Sequence, residues 1–189
     1  MVRIVERKNI LPTDAATTCL FAWGNGDGEV RLFQLGDGAI YYQTECFGQV
    51  NLKSDDLFSN QTNALGYSKK WDDWAYKKIH LTNKKHGIVL LTDGISDDLL
   101  NEQLFTSMLI QKAALRSVRQ IKKYIKHELN HWSTPYHSDD KSIGIVFGKN
   151  EDDEPNAKKN RERPSGKYVC TFRKDWGRWP RDSFKNRPS

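Results

Sequence analysis

The sequence predicts an α+β fold with antiparallel sheets. In the first half of the chain, short runs of β-branched and aromatic residues alternate with glycine turns, which is the pattern of strands joined by tight turns. Residues 101–131 contain no glycine or proline, and their apolar residues recur mostly every three or four positions. That period is typical of an amphipathic helix. Strands followed by a long helix indicate helices packed against antiparallel sheets.

Composition and charge exclude several classes of protein. The 189 residues are 37% hydrophobic and include 8 Phe, 7 Tyr and 6 Trp, enough for a core and inconsistent with complete disorder. No apolar run approaches the roughly 20 residues that cross a bilayer. The N-terminus alternates apolar and charged residues, unlike a signal peptide. The three cysteines form no Cys-x-x-Cys pair, which is typical of a reducing compartment. We therefore expect a cytoplasmic protein without membrane contact.

The first strands follow from three apolar runs, at residues 17–23, 30–35 and 39–42. Residues 24–28 separate the first two runs and Gly36-Asp37-Gly38 the last two. Both connections consist largely of residues that tolerate the positive φ of tight turns. The pattern therefore predicts a three-strand meander.

The middle of the chain is less regular. Residues 44–75 are expected to be rich in loops. Residues 79–81 and 88–91 are again apolar, with a polar segment ending in Gly87 between them. We predict that they form a second hairpin.

Residues 101–131 are predicted to form one long amphipathic helix or two nearly collinear ones. Their polar face carries several Lys and Arg residues, for which a solvated helix surface is favoured over a functional basic patch. Asp97 and Asp98 precede this stretch and are expected to cap its N-terminus. A last strand at residues 143–147 completes the globular part.

Charge divides the chain into three predicted segments. Residues 1–148 form the globular domain, and residues 149–166 read as a charged, solvated linker. Residues 167–189 form a tail in which Trp and Phe alternate with Arg and Lys. Packing against the domain or disorder is favoured for this tail. A protein partner is the next interpretation, and nucleic acid is the least expected partner.

The residues most informative about chemistry are aspartates at strand ends. Asp37 lies between two glycines, Asp93 precedes Gly94, and Asp139 and Asp140 directly precede the last strand. Carboxylates gathered at one rim of a sheet suit Mg²⁺ or Mn²⁺, which prefer oxygen ligands. Taken singly, each of these aspartates is better explained as a turn residue.

Histidine and cysteine give weaker signals. His127 and His131 are one helical turn apart, but no third ligand is evident nearby, so solvated helix residues are favoured over a metal site. His137 lies two residues before Asp139, and we assign it no catalytic role. Cys19, within an apolar strand, is expected to be a core residue.

Four strings of residues, taken together and in order, resemble the protein phosphatase 2C family, the PPM-type metal-dependent Ser/Thr phosphatases. The resemblance covers roughly residues 14–148, and it is nearest to the bacterial branch that has Gly-Asp-Gly where other members have Gly-Asp-Ser. The strings are Thr17-Thr18, Phe33-Gln34-Leu35-Gly36-Asp37-Gly38-Ala39-Ile40, Leu90-Leu91-Thr92-Asp93-Gly94-Ile95 and Asp139-Asp140-Lys141-Ser142-Ile143.

This resemblance implies a partial αββα sandwich, in which antiparallel sheets are flanked by helices. It also implies two Mn²⁺ or Mg²⁺ ions, with a third in many members. Asp93 and Asp139 resemble ligands of the catalytic metal pair, and Asp37 resembles a residue that helps to hold the third ion. Asp140 would lie behind the ligands. The implied activity is hydrolysis of phosphoserine and phosphothreonine in protein substrates by metal-activated water.

One family motif has no counterpart in the sequence. The family begins with a strand carrying an acidic residue and an Asp-Gly-x-Gly motif whose aspartate bridges both metals, and nothing before Asp14 resembles either. The chain therefore resembles the C-terminal two-thirds of such a phosphatase, lacking the N-terminal third. The alternative interpretation is a non-catalytic, phosphatase-like regulatory or binding module, with the tail providing contacts to a partner.

Overall fold

The computed structural model describes residues 16–25, 27–50, 63–65, 70–132 and 139–148, and the backbone of residues 170–173. The predicted linker at 149–166, most of the tail and His137 lie outside the described residues. Within them the chain forms three α-helices and eight strands, and the predicted α+β class is confirmed. The strands are β1 (Cys19–Gly24), β2 (Glu29–Leu35), β3 (Ala39–Gln43), β4 (Phe47–Gln49), β5 (Ala75–His80), β6 (Gly87–Leu91), β7 (Ser142–Phe147) and β8 (Cys170–Arg173). The helices are α1 (Asp93–Ser96), α2 (Glu102–Ala114) and α3 (Val118–Leu129), and a 3₁₀ turn spans Trp71–Asp73.

The strands form two antiparallel sheets. The smaller sheet has the order β1-β2-β5, and the larger one has the order β4-β3-β6-β7-β8. In the larger sheet β6 is central, because it pairs with β3 on one side and with β7 on the other. The ends of β2, β3, β6 and β7 thereby position the loops that carry the aspartates of interest.

Two separate cores hold these layers together. Val30 and Leu32 of the smaller sheet pack against Ile40, Ile88 and Val146 of the larger one. The other face of the larger sheet packs against the helices. Since the middle of the larger sheet is covered on both faces, most residues along β3, β6 and β7 are apolar, and these strands appear in the sequence as continuous apolar runs. The result is a sheet–sheet–helix sandwich, consistent with the predicted partial sandwich.

The helix core is contributed by both α2 and α3. Tyr41, Val89 and Ile145 point from the larger sheet towards the helices, while their chain neighbours point into the sheet–sheet core. The helical side of this core consists of Phe105, Leu109, Ile110, Ala113, Ile121, Ile125 and Leu129. Fully burying side chains of this size contributes roughly 1.5–3 kcal/mol each. This packing joins the larger sheet to both helices.

Strands β1 and β2 form the first, predicted half of the meander, but its second half and the second predicted hairpin are wrong. Strand β3 does not continue a meander from β2; it pairs with β4 and β6 in the other sheet. Likewise β5 pairs with β2, whereas β6 pairs with β3 and β7. The connections at residues 36–38 and 81–86 are therefore crossings between the two sheets. At the first of them, Gly36 and Gly38 both have positive φ (77° and 99°), which a residue without a Cβ adopts without strain.

The predicted long helix is divided into α2 and α3. The break is at residues 115–117, and Ser117 forms a capping box with Gln120 at the start of α3. Lys112 Nζ of α2 donates a hydrogen bond to the Tyr124 hydroxyl of α3 at 2.9 Å. Residues twelve apart in one straight helix would be about 18 Å apart, so the chain turns at this break. None of the helices in the described residues is both long and apolar enough to span a bilayer.

The predicted capping of this helical region by Asp97 and Asp98 is also wrong. Asn101 is the N-cap of α2, and its side chain accepts a hydrogen bond from the backbone N–H of Leu104 at 2.8 Å. Asp98 instead accepts a hydrogen bond from Trp132 Nε1 at 2.9 Å. The reason is the loop between α1 and α2, which places both aspartates more than one residue before the first turn of α2, out of reach of its free N–H groups.

Candidate functional site

The loops that carry Asp93 and Asp139 are joined by hydrogen bonds through Thr92. The Thr92 hydroxyl donates to the backbone carbonyl of Asp140 at 2.9 Å and accepts from the backbone N–H of Ser142 at 2.8 Å. The backbone N–H of Thr92 also donates to the Ser142 carbonyl at 3.2 Å. One side chain therefore links the end of β6 to the beginning of β7. Because its Oγ1 both donates and accepts, it also satisfies two backbone groups that the sheet ladder leaves unpaired at this point.

Gly94 allows these two loops to approach each other closely. A Cβ built on Gly94 would lie 3.1 Å from the Asp139 Cβ and 3.1 Å from the Asp140 carbonyl oxygen. Real Cβ contacts are seldom this short. A larger residue would push the Asp139 loop away, so glycine at this position keeps Asp139 next to the first turn of α1, where Asp93 lies.

Asp93 is the first residue of α1, directly after the N-cap Thr92. Its Oδ1 accepts a hydrogen bond from the backbone N–H of Gly94 at 2.8 Å. The side chain is exposed, as are those of Asp139 and Asp140. A buried strand thus ends in a carboxylate whose backbone is held by the strand and whose head group faces solvent.

Asp37 lies on a third loop at the same end of the sheets. A Cβ built on Gly38 would lie 2.6 Å from the Leu91 carbonyl oxygen, so the Asp37 loop rests against the end of β6. Gln34, which is buried, supports the loop by donating from Nε2 to the Gly38 carbonyl at 2.9 Å. The structure therefore brings all three sequence-predicted loops to one rim, around Leu91 and Thr92.

These residues fit a hydrated divalent cation, but they do not form a complete protein cage. Exposed carboxylates are the hard oxygen donors that Mg²⁺ and Mn²⁺ prefer, and Mg²⁺ is commonly held by one or two carboxylates and several waters. Within the described ranges, no group of three or more His, Cys, Asp or Glu side chains is arranged to hold a metal ion. The rim offers the exposed carboxylates of Asp93 and Asp139, on two loops that are in contact, and that of Asp37 on a third loop.

The structure places the other residues singled out in the sequence on α3 and β1. His127 and His131 are exposed on α3 with ring centroids 4.5 Å apart, and His131 Nδ1 is 3.0 Å from the His127 carbonyl oxygen. Cys19 is half-buried in β1, and burial raises the pKa of its thiol. The exposure of the two histidines agrees with the predicted solvated helix surface, whereas Cys19 is not the core residue that the sequence predicts, because neither core contains it.

His86 lies at the opposite end of β6 from Asp93. Its buried ring accepts a hydrogen bond at Nδ1 from the backbone N–H of Thr82 at 3.2 Å. Its Nε2 lies 3.2 Å from a carboxylate oxygen of Glu45 and 3.1 Å from Asn83 Nδ2. The whole length of β6 separates His86 from the aspartate rim. We therefore assign His86 a structural role at the other end of the sheet.

Sequence reasoning found the aspartates but did not assign roles to Thr92 and Gln34. Both are ordinary polar residues beside a glycine turn. Gln34 bonds locally, to the Gly38 carbonyl four residues along the chain, whereas Thr92 bonds to partners that only the fold brings near. For Thr92 those partners are 48 and 50 residues away. The only signal available was that each lies inside a string that resembles the family.

A family model described as Protein phosphatase 2C matches residues 4–132. The chain belongs to the protein phosphatase 2C family. The match covers more than half of the chain and includes the strings around Asp37 and Asp93, whereas Asp139 lies beyond its end. No curated protein and no solved structure matches the chain. Membership of this phosphatase family identifies the rim with Asp37 and Asp93 as the part of the chain to test first.

Proposed function

We propose that this chain is a PPM-type, metal-dependent protein Ser/Thr phosphatase domain. The observation that carries the proposal is the linkage of the Asp93 and Asp139 loops by Thr92 and Gly94, at a rim that also receives the Asp37 loop. Membership of the protein phosphatase 2C family supports phosphate-ester hydrolysis as the chemistry. The proposed domain extends over residues 1–148, and its substrates are phosphorylated Ser and Thr side chains of cytoplasmic proteins.

Asp93 and Asp139 are the proposed ligands of Mn²⁺ or Mg²⁺, and Asp37 is the proposed contributor to a third ion. A bound divalent cation would lower the pKa of water and neutralise charge on a phosphate group. The Thr92 hydroxyl holds the two loops together, and the absence of a side chain at Gly94 lets them approach closely. Their exposure leaves the rim open to a phosphorylated side chain of another protein.

The sequence contains no Asp-Gly-x-Gly motif, so the described rim lacks the aspartate that would bridge two metal ions. Mg²⁺ and Mn²⁺ retain waters readily, so two carboxylates are sufficient for weak binding of one ion. We therefore expect the rim to bind one Mn²⁺ or Mg²⁺ ion weakly, with water as most of its ligands. If the rim holds an ion too weakly to support turnover, a non-catalytic phosphatase-like module becomes the better interpretation.

The proposal is tested by hydrolysis of a phosphothreonine peptide, with and without Mn²⁺, by wild type and Asp93→Asn. We expect metal-dependent release of phosphate by wild type and its loss in the variant, because the amide carries no charge. Asp27→Asn is the matched control, since Asp27 is also an exposed turn aspartate but lies beyond the other end of β2. Equal activity in wild type and Asp93→Asn would refute the assignment of Asp93.

A metal titration separates binding from catalysis. Wild type is titrated with Mn²⁺ by calorimetry, and Asp93→Asn and Asp139→Asn are titrated in parallel. We expect binding by wild type and weakened binding by both variants. Binding without turnover, in protein whose circular dichroism shows that it is folded, would support the site and contradict the catalytic proposal.

A further inference from the structure

Lys141 lies between the two backbone groups that Thr92 holds. The Thr92 hydroxyl donates to the Asp140 carbonyl at 2.9 Å and accepts from the Ser142 N–H at 2.8 Å, so the backbone is fixed on both sides of Lys141. The Asp140 carbonyl is also close to α1, since it would lie 3.1 Å from a Cβ on Gly94. Lys141 is therefore a cationic residue whose backbone the fold fixes at the aspartate rim.

The side chain of Lys141 is packed to an extent that is rare for lysine. Only 8% of the residue is exposed, whereas lysines are almost never fully buried unless they are paired. Among the residues that the structure describes, Lys141 is the one Lys or Arg that is buried. Its four-carbon stem can pack against apolar neighbours, but its ammonium group needs water or an anion.

The ammonium group of Lys141 has no partner within the part of the chain that the structure describes. Its Nζ makes no hydrogen bond there, and it forms no ion pair with a described carboxylate. Nζ is also not one of the enclosed side-chain atoms that lack a partner, so the ammonium group reaches the surface while the stem is held. A charge presented in this way can bind an anion from outside the chain.

Two properties suit Lys141 to binding an anion at the rim. A lysine Nζ lies within about 6 Å of its own Cα, so the charge stays close to the loops of Asp93 and Asp139. Because packing already restricts the stem, binding an anion costs little further side-chain entropy. An exposed lysine would have to be ordered by the anion that it binds.

The anion that fits best is a phosphate group bound together with a divalent cation. A lysine ammonium binds phosphate as a point charge, and lysine and divalent cations both stabilise the charge of a phosphoryl group during its transfer. The sequence has no Asp-Gly-x-Gly motif, and the exposed carboxylates of Asp93 and Asp139 are sufficient for one weakly held ion. Lys141 offers a second positive charge at the same rim.

We propose that Lys141 binds the phosphate group of the substrate and takes the place of a second metal ion at the rim. The inference rests on the proposed phosphatase function, because it assigns a role within the same site. The ammonium group holds a phosphate oxygen by a charge-assisted hydrogen bond. It forms no covalent bond and transfers no proton: water adds to phosphorus, the bond from phosphorus to the substrate oxygen breaks, and the alcohol leaves with a proton from that water.

The first test compares Mn²⁺ binding by wild type, Lys141→Met and Lys141→Arg, measured by calorimetry without phosphate. Methionine keeps an unbranched side chain of similar length and removes the charge. Since like charges a few ångströms apart repel, Lys141→Met should bind Mn²⁺ about fivefold more tightly than wild type, and Lys141→Arg should bind it as wild type does. Unchanged affinity in Lys141→Met would mean that the ammonium group is not close to the metal, and would overturn the proposal.

The second test measures binding of inorganic phosphate by ³¹P NMR in saturating Mg²⁺. We expect binding by wild type, about tenfold weaker binding by Lys141→Met, and retained binding by Lys141→Arg. Lys85→Met is the matched control, since Lys85 is an exposed lysine before β6, at the opposite end of that strand from Asp93; it should bind phosphate as wild type does. Equal phosphate affinity in wild type and Lys141→Met would overturn the proposal.

The two affinities distinguish a charge at the rim from a packing role. Loss of packing alone would lower stability, but it would not tighten Mn²⁺ binding while weakening phosphate binding. Circular dichroism establishes that each variant is folded, and Lys141→Gln repeats both measurements if Lys141→Met is not.

Hydrolysis of a phosphothreonine peptide separates this inference from the proposed function. A wild type that binds phosphate through Lys141 but does not hydrolyse the peptide would contradict the phosphatase activity and leave the phosphate site supported. Metal-dependent hydrolysis by Lys141→Met with the kcat and KM of wild type would contradict the role of Lys141 and leave the phosphatase activity supported.

Discussion

The side chain of Thr92 and the backbone N–H of Ser142 are joined by a 2.8 Å hydrogen bond across fifty residues of sequence. The same hydroxyl donates to the carbonyl of Asp140 at 2.9 Å. Thr92 directly precedes Asp93, and Asp140 directly follows Asp139. A single hydroxyl therefore sets how the backbones of the two proposed ligand loops lie relative to each other, which gives a direct way to disturb the rim without removing a carboxylate.

Replacing Thr92 by Val should loosen the rim while leaving both carboxylates in place. The variant keeps the shape of the side chain but removes one donor and one acceptor, at a cost of about 1–3 kcal/mol in unfolding free energy for the groups left unpaired. We expect weaker Mn²⁺ binding by calorimetry and faster hydrogen exchange at the Ser142 amide. Urea unfolding gives the stability change.

Thr92→Ser is the matched control, because it retains the hydroxyl. It should restore most of the amide protection and most of the metal affinity. If the Ser142 amide exchanges at the same rate in Thr92→Val and Thr92→Ser, the hydroxyl does not hold the two loops together.

Replacing Gly94 by Ala should displace the Asp139 loop. The new Cβ would meet both the Asp139 Cβ and the Asp140 carbonyl oxygen at 3.1 Å. In a helix Ala is normally favoured over Gly by about 0.5–1 kcal/mol, so a loss of stability would show that the contact outweighs helix propensity. We expect reduced Mn²⁺ affinity and a lower midpoint of urea unfolding.

Gly144→Ala provides the comparison for this prediction. A Cβ on Gly144 would lie 3.4–3.9 Å from atoms of Leu90, which is ordinary van der Waals contact. That variant should bind Mn²⁺ as wild type does. Unchanged metal affinity in Gly94→Ala would mean that the Asp139 loop yields without affecting the rim.

Tyr41 predicts a loss of stability at alkaline pH. Burial between the larger sheet and α2, and secondarily the charges of Glu102 and Asp97, raise the pKa of Tyr41 from 10 to about 12. A raised pKa means that the folded state retains this proton after the unfolded chain has released it. The contribution of the neutral phenol is therefore complete below pH 10 and is lost progressively between about pH 10 and 12.

Urea unfolding of Tyr41→Phe between pH 9 and 11 measures this contribution. The variant has no proton to release, so its stability should fall less steeply above pH 10 than that of wild type; one pKa unit corresponds to about 1.4 kcal/mol. Tyr76→Phe, which removes a hydroxyl from an exposed ring, should follow the wild-type slope. Parallel curves for wild type and Tyr41→Phe would contradict the prediction.

The sequence predicted individual strands and helices well where the spacing of apolar residues was regular. The last strand is predicted at residues 143–147 and observed at Ser142–Phe147, because its apolar residues face a core on each side of the larger sheet. The stretch at 101–131 is helical on both sides of a break, and Ser117 and Gln120 form the capping box that marks the second start. That capping signal is present in the sequence but was outweighed by the continuous apolar period.

Strand pairing was predicted less well, because proximity along the chain does not decide it. The glycine turn at Asp37 was expected to close a meander, yet β2 and β3 belong to different sheets. A two-residue hairpin and a crossing between packed sheets can use the same glycines with positive φ. Which one forms depends on how the buried faces of the two sheets match, and no local pattern contains that information.

The sequence by itself determined the fold class, the phosphatase-family resemblance and the positions of Asp37, Asp93 and Asp139 at strand ends, since these depend on residue type and on periods of two and 3.6 residues. Only the tertiary structure decided that Thr92 joins two of those loops, that Gly94 leaves no room for a side chain between them, and that Phe21, Phe33 and Tyr76 form a row across the smaller sheet. These relationships depend on contacts between residues far apart in sequence. Such contacts form only when burial of the two cores selects one arrangement of the sheets.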